Sequence, residues 1–164
     1  MYCTVIDKAF APVRDIGAAV DLLRVFQNLS CRQSIQICTK KQSGHVHTLF
    51  LSLCQNTRKE FDEFRCNPPL RMNEPKYSGS ALWARSLMLT LSQSWDLVFS
   101  VSNEKLQIPS DIRDQYEQLI EALHSYQLLQ FRDWLDNVSS ITEPDVLQVK
   151  LEKVRILSTL KTKS

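Results

Sequence analysis

The chain has 164 residues, 43% of them hydrophobic and 23% charged, a composition that provides a core and excludes a disordered tail as the main structure. Its formal net charge of +2 is too small for nucleic-acid binding, which needs Lys and Arg clustered on one face. Only three glycines are available for hairpin turns and phosphate-binding loops, so we expect helices.

Two further features of the composition bear on the compartment. The chain begins without a basic stretch followed by a long apolar one, and no window approaches ~20 apolar residues, so we expect neither an export signal nor a membrane span. The cysteines form an odd set without C-x-x-C pairing, which favours reduced thiols in a cytosolic protein over a disulfide framework or a zinc ribbon. They are Cys3, Cys31, Cys38, Cys54 and Cys66.

The first amphipathic stretch begins near Asp15, a residue type that caps helix N-termini. Apolar residues then follow at steps of three and four, which predicts one buried helix face. They are Ile16, Val20, Leu23, Phe26 and Leu29. A short polar break is expected over residues 28–34.

The second helix is expected to follow a break at Ser43-Gly44 and to carry an apolar stripe from Val46 to Phe64. It must end near Asn67, because Pro68-Pro69 lacks backbone donors and disfavours the α conformation in the preceding residue. The segment 67–77 is rich in proline and predicts a stiff, extended connector.

A third helix is expected from residue 78, with Ser78 or Ser80 as its cap. Its apolar band is wide, which is typical of a helix in the middle of a bundle. The band comprises Ala81, Leu82, Trp83, Leu87, Leu91, Trp95, Val98 and Phe99.

The segment Pro109-Ser110-Asp111 predicts a stop and a new start, followed by an apolar pattern of about 28 residues that would extend roughly 40 Å. Thr142 and Pro144 predict the start of a last helix, over Val146 to Leu157. The predicted fold is therefore all-α, an elongated bundle of about five to six helices. We divide the chain into first helices (1–66), a Pro-rich connector (67–77) and a long-helix bundle (78–164).

No arrangement of residues predicts catalysis, a cofactor or a metal ion. No two glycines lie close enough for a phosphate-binding loop, so autonomous nucleotide binding is not expected. His45 and His47 lack the i, i+4 spacing of metal-binding helices, and nothing selects a cysteine as a partner for His124. We therefore interpret the histidines and cysteines as structural, and predict no catalytic, cofactor-binding or metal-binding residue.

The three tryptophans have the most informative side chains. Trp83, Trp95 and Trp134 each bury a large area and anchor either a core or a protein interface. We expect each of them to lie in the core.

One block of the sequence resembles a known family. Asn67-Pro68-Pro69-Leu70, a polar spacer and the run from Pro75 to Leu87 are similar to the N-terminal tail of dynein heavy chains, in which a proline pair, a further proline and a glycine precede Trp-Ala-Arg. The matching positions are Pro68, Pro69, Pro75, Gly79, Trp83, Ala84 and Arg85. Residues 15–32 are similar to the family's preceding helix. At Glu74-Pro75-Lys76 the chain departs from the family, which usually has another apolar residue or Met-Pro.

The resemblance implies that this chain is a segment of a much larger motor subunit, whose ATPase ring and microtubule-binding stalk lie downstream. It implies a non-catalytic scaffold whose partners are dynein intermediate and light chains and other heavy chains, with neither nucleic acid nor membrane as a partner. It also implies a location in the cytoplasm and cytoskeleton, with the cilium axoneme favoured.

Two alternatives belong to other classes. The first is an unrelated helical adaptor protein. The second is a small helical enzyme that uses a Cys-His or metal site, which thiol reactivity and elemental analysis would reveal.

Overall fold

The computed structural model describes residues 2–28, 33–101 and 107–141, and these ranges form five α-helices without a strand. The helices are α1 (Tyr2–Phe10), α2 (Ile16–Asn28), α3 (Gln33–Phe64), α4 (Lys76–Val101) and α5 (Ser110–Ile141). The all-α prediction is confirmed. Since α3 and α5 each contain 32 residues, each extends about 48 Å and the bundle is elongated.

The start of α2 is the one that the sequence predicted. The Asp15 carboxylate accepts a hydrogen bond from the backbone N–H of Ala18 at 2.8 Å, and the Asp15 carbonyl accepts one from Ala19 at 3.1 Å. These bonds satisfy donors that a helix N-terminus leaves unpaired. Asp15 is therefore the N-cap of α2.

The predicted break at Ser43-Gly44 is wrong, because α3 continues through both residues. The Ser43 hydroxyl donates to the Lys40 carbonyl at 2.7 Å, so its polar group is satisfied within the helix. Packing of the long helix outweighs the modest helix propensity of one glycine. The predicted stop before Pro68-Pro69 is confirmed, since α3 ends at Phe64.

The connector between α3 and α4 is not extended throughout. A turn at Arg71–Glu74 places Asn73 in the left-handed region, with φ of 69°. The Glu74 carboxylate accepts a hydrogen bond from the backbone N–H of Arg71 at 2.9 Å, which stabilises this turn. The chain therefore folds back before α4 begins.

The expected serine cap of α4 is wrong. The helix begins at Lys76, and its first backbone bond joins the Gly79 N–H to the Pro75 carbonyl at 2.8 Å. Ser78 and Ser80 lie inside the helix, where the Ser80 hydroxyl donates back to the Lys76 carbonyl at 2.6 Å. Pro75 directly precedes the helix and has no N–H that needs an acceptor. The helix therefore starts at Lys76, three residues earlier than a cap at Ser78 would allow.

The helices α3, α4 and α5 form the centre of the bundle, and two aromatic clusters join them. In the Trp95 cluster, Trp95 stacks on Tyr116 at 4.6 Å between ring centroids and contacts Phe50 at 5.5 Å. The second, the Trp83 cluster, contains Trp83, Phe61 and Tyr126. Each cluster has one ring from each helix, so α3 and α5 run parallel and α4 runs antiparallel to both. The expectation that α4 lies in the middle of a bundle is met by its contacts with α2, α3 and α5.

The sequence did not predict α1. It packs on α3 through Ile6 and Phe10, whose side chains are 3% and 2% exposed, and the i, i+4 spacing of this pair is the signal that was overlooked. The predicted start of α5 is confirmed, with the Pro109 carbonyl accepting from Ile112 at 3.2 Å. The last predicted helix, from Thr142 onward, lies outside the described residues.

The cysteines differ from the expectation at one position. Cys38 is disulfide-bonded, whereas reduced thiols were expected, and its side chain is buried. Cys54 and Cys66 are free thiols, buried and exposed respectively. Among the described helices, none combines the length and the apolar character that crossing a membrane requires.

Candidate interaction surface

The block from Pro68 to Arg85 joins the connector to the first turns of α4. Gly79 is the point of closest approach, because a Cβ built on it would lie 2.9 Å from Leu70 Cδ2 and 3.3 Å from Glu74 Cβ. Those distances are shorter than normal van der Waals contact. The glycine therefore lets the turn at Arg71–Glu74 pack directly on the α4 backbone.

Trp83 lies one turn after Gly79 and is half-buried. Its ring stacks on Phe61 of α3 at 6.1 Å and meets the edge of Tyr126 of α5 at 6.1 Å. The Trp83 Nε1–H is buried and has no hydrogen-bond partner within the described residues. Tyr126 Oη donates to the Arg65 carbonyl at 2.9 Å, and burial raises the pKa of this phenol. This cluster fixes the end of α3 against α4 and α5.

The other block positions divide between packing and exposure. Ala84 is fully buried and Pro68 is half-buried, while Pro69, Pro75 and Arg85 are exposed. The structure thus brings Gly79, Trp83 and Ala84 together at the helix contacts. It leaves Arg85 on the outer side of α4.

The histidines and Cys54 have structural surroundings. His45 Nε2 lies 3.3 Å from the Val13 carbonyl, and burial lowers the pKa of His47. Burial also raises the pKa of the Cys54 thiol from 9.0 to about 11, which disfavours the thiolate that a nucleophile needs. Within the part of the chain that the structure describes, no group of three or more His, Cys, Asp or Glu is placed to hold a metal ion.

The carboxyl-terminal part of α5 carries an exposed apolar strip, which we call the α5 seam. Its residues recur at steps of three, four and three, the spacing of coiled-coil contact positions. They are Leu128, Phe131, Leu135 and Val138, with Trp134 beside them. Their exposed fractions lie between 37% and 56%. The expectation that Trp134 lies in the core is therefore wrong. Trp83 and Trp95, by contrast, are partly buried and pack against the hydrophobic core.

The position of α5 in the bundle explains this exposure. Phe61 of α3 lies against Tyr126, and α3 ends three residues later at Phe64, so α3 stops level with about Leu129. Near the start of α4, Tyr77 Oη accepts a hydrogen bond from Asn137 at 3.4 Å. The last turns of α5 therefore continue past the end of α3, whereas the start of α4 lies level with Asn137. Among the described residues, α3 does not extend over the seam.

The apolar spacing of the strip could be read from the sequence, but its exposure to solvent could not. The same residues follow the buried ones of α5 with a continuous helical period, and periodicity alone reports which residues share a face. It does not report where the neighbouring helices end.

The described residues define the class of the protein, an all-α bundle of long helices joined by aromatic clusters, with an exposed apolar strip on α5. Comparison with known proteins specifies the family. The family model "Dynein heavy chain, N-terminal region 1" matches residues 1–159, and the chain belongs to this family.

The relatives agree with this assignment. The chain is 30% identical over 142 residues to the Dynein-1-beta heavy chain, flagellar inner arm I1 complex, of Chlamydomonas reinhardtii, covering 85% of this chain and 3% of that one. It is 25% identical over 146 residues to Dynein axonemal heavy chain 5 of Mus musculus, covering 82% of this chain and 3% of the relative. The chain thus spans about 3% of the length of these relatives. Among solved structures, none matches it.

Proposed function

We propose that this chain acts as a non-catalytic tail segment of a microtubule motor heavy chain. In this role it is a scaffold for the association of heavy chains and for the binding of intermediate and light chains in microtubule-based movement. Support comes from its family and from relatives whose names place them in flagellar arms and axonemes. The location that we propose is accordingly the cytoskeleton of the cilium axoneme. Family membership removes the alternative of an unrelated helical adaptor.

The α5 seam is the observation that carries the scaffold proposal. Apolar side chains at heptad-like steps are the pattern with which one helix packs on another. An aromatic residue beside such a strip adds the kind of anchor that dominates binding energy at protein interfaces. Trp134 stands in this position, 5.8 Å from Phe131 between ring centroids. We infer that a helix of a partner covers the seam in the assembled motor.

The block from Pro68 to Arg85 has a different role in this proposal. Gly79 and Trp83 hold the connector and α4 against α3 and α5, and this packing sets the direction in which α5 leaves the bundle. We retain the division into first helices (1–66), connector (67–77) and long-helix bundle (78–164) as a proposal. We also propose that the chain is a segment of a longer heavy chain.

The test combines light scattering after size exclusion with a pull-down of dynein intermediate chains. The seam variant carries Leu128→Glu and Leu135→Glu, and its matched control carries Ser125→Glu and Ser140→Glu, which add the same charge at exposed positions of α5 outside the seam. We expect the seam variant to lose self-association or intermediate-chain capture and the control to retain it, because buried charges without partners oppose helix packing. Circular dichroism verifies that both variants are folded.

A wild-type chain that stays monomeric and captures no intermediate chain contradicts the scaffold proposal. Equal binding by the seam variant and its control contradicts the assignment of the seam, and leaves the contact to another surface of the bundle.

A further inference from the structure

The contact spacing of the α5 seam continues toward the start of the helix. Counted back from Val138 to Asp114, the steps alternate between three and four residues without interruption, which is the spacing of coiled-coil contact positions. All of these positions are exposed, and we call them together the α5 stripe: Asp114, Glu117, Glu121, His124, Leu128, Phe131, Leu135 and Val138. The stripe extends roughly 36 Å along α5, far enough to contact a partner helix over its whole length.

The two halves of the α5 stripe differ in chemistry. The seam half is apolar, whereas residues 110–124 contain four carboxylates and a single Lys or Arg, which is Arg113. Asp111 lies in the first turn, where a carboxylate is favourable beside the positive end of the helix dipole. Glu117 and Glu121 lie beyond that turn, and neither forms an ion pair within the described part of the chain. The stability of α5 therefore does not account for these two carboxylates at contact positions.

A second copy of this chain matches the α5 stripe poorly. In a parallel pair with the same register, each contact position meets its counterpart, so Glu117 and Glu121 would each lie beside a like charge. In an antiparallel pair along the whole stripe, these carboxylates would be buried against the apolar half of the other copy, without a positive partner. The charge pattern therefore favours a helix that belongs to a different chain.

We propose that the α5 stripe binds a helix of a different chain that has apolar residues along one half and Lys or Arg along the other. The apolar half covers the seam, with Trp134 beside it as an aromatic anchor. The basic half lies over residues 114–124 and pairs with Glu117 and Glu121, which fixes the register of the partner and rejects acidic helices. This inference rests on the scaffold function proposed above and adds the chemistry of the partner.

Two synthetic peptides, each of about 28 residues, test the charge preference on the 164-residue chain. Both have Leu at the contact positions of one half, and in the other half the basic peptide has Lys where the acidic peptide has Glu. Each is made with the charged half first and with it last, so that parallel and antiparallel binding are both possible. Fluorescence anisotropy measures the Kd of each labelled peptide.

We expect the basic peptide to bind about tenfold more tightly than the acidic one at about 0.1 M salt, and the difference to shrink at about 1 M because salt screens the charges. Equal affinities for the two peptides, or tighter binding of the acidic one, overturn the proposal.

Charge-removing variants locate the preference on α5. Glu117→Gln combined with Glu121→Gln should reduce the preference to below about threefold, because the carboxylates that pair with the basic half are gone. The matched control, Glu60→Gln with Glu63→Gln, removes the same charge at exposed positions of α3 and should keep the preference. A preference that persists when Glu117 and Glu121 are replaced overturns the proposal.

Light scattering tests a second copy as the occupant of the α5 stripe. Wild-type dimers that Leu135→Glu dissociates and that Glu117→Gln with Glu121→Gln strengthens would assign the stripe to a second copy and overturn the proposal. The scaffold function is read out separately by the pull-down of intermediate chains. Capture that is lost in the seam variant, together with equal binding of the two peptides, would uphold that function and overturn the partner chemistry proposed here.

Discussion

Trp83 is held between two aromatic rings that come from different helices, and this contact explains why a tryptophan suits the position. Phe61 approaches from α3 and Tyr126 from α5, so one side chain joins three helices. A stacked and an edge-on ring contact add to the free energy of burial. The unpartnered Nε1–H opposes part of that gain.

Replacement of Trp83 by alanine should lower the free energy of unfolding by about 3 kcal/mol, because it removes a large ring from the contact of three helices. The matched control is Trp134→Ala, in which the lost ring is 44% exposed, and here we expect a change below about 1 kcal/mol. Urea unfolding followed by circular dichroism measures both values. Similar losses for the two variants would contradict the assignment of Trp83 to the helix contacts.

Two glycines offer a second matched pair. Gly79→Ala should destabilise the chain by about 1–3 kcal/mol, because the new methyl group meets Leu70 and Glu74 of the connector. Gly44→Ala should instead stabilise it by roughly 0.5–1 kcal/mol, since its Cβ meets no atom within 4 Å and alanine favours the helix. Urea midpoints at constant slope report both changes. Equal effects of the same sign would show that the close approach at Gly79 has no energetic consequence.

At the scale of the element, local polar contacts decide where helices begin. Asp15 caps α2 with its carboxylate, whereas α4 begins at Lys76, directly after Pro75, and uses no serine cap. The first turn of any helix has unpaired N–H groups, and the Asp15 carboxylate accepts from one of them, that of Ala18. Asp15 could be predicted from the sequence because its side chain acts on a backbone three residues away.

The substitution Asp15→Ala should lower the free energy of unfolding by about 1 kcal/mol, because the Ala18 N–H loses its acceptor. As a control, Asp21→Ala removes an exposed carboxylate that pairs with Arg24 at 3.3 Å, which should cost less than about 0.5 kcal/mol. Thermal unfolding of the three proteins gives the comparison. If Asp21→Ala is the more destabilising variant, the capping role of Asp15 is refuted.

At the scale of the whole molecule, burial couples folding to the protonation of the Cys54 thiol. Its pKa is raised from 9.0 to about 11 by burial, so the folded chain keeps this proton at a pH where the unfolded chain releases it. Stability should therefore fall by up to about 2 kcal/mol as the pH rises from 9 to 11. Burial raises the pKa of Tyr126 as well, which acts in the same direction.

The variant Cys54→Ala should have a shallower loss of stability between pH 9 and 11 than the wild type, when both are measured by urea unfolding. Cys66→Ala, at an exposed thiol, should keep the wild-type slope. A wild-type slope in Cys54→Ala would show that this thiol is not the group responsible.

Long-range packing accounts for the features that could not be predicted from the sequence. The break expected at Gly44 is absent because the neighbours of α3 stabilise a continuous helix across it. Trp134 was expected in the core because tryptophan side chains bury a large area. Its exposure depends on where α3 ends, which no local pattern in α5 reports.

The sequence by itself determined the helical class, the cap at Asp15, the stop before Pro68-Pro69 and the resemblance to the dynein tail, because these depend on residues near each other in the chain. The tertiary structure alone decided that α1 packs on α3, that the connector packs on Gly79 and that the α5 seam is exposed among the described residues. Each of these depends on the relative lengths and register of helices that are distant in sequence, and such contacts form only when the whole bundle packs.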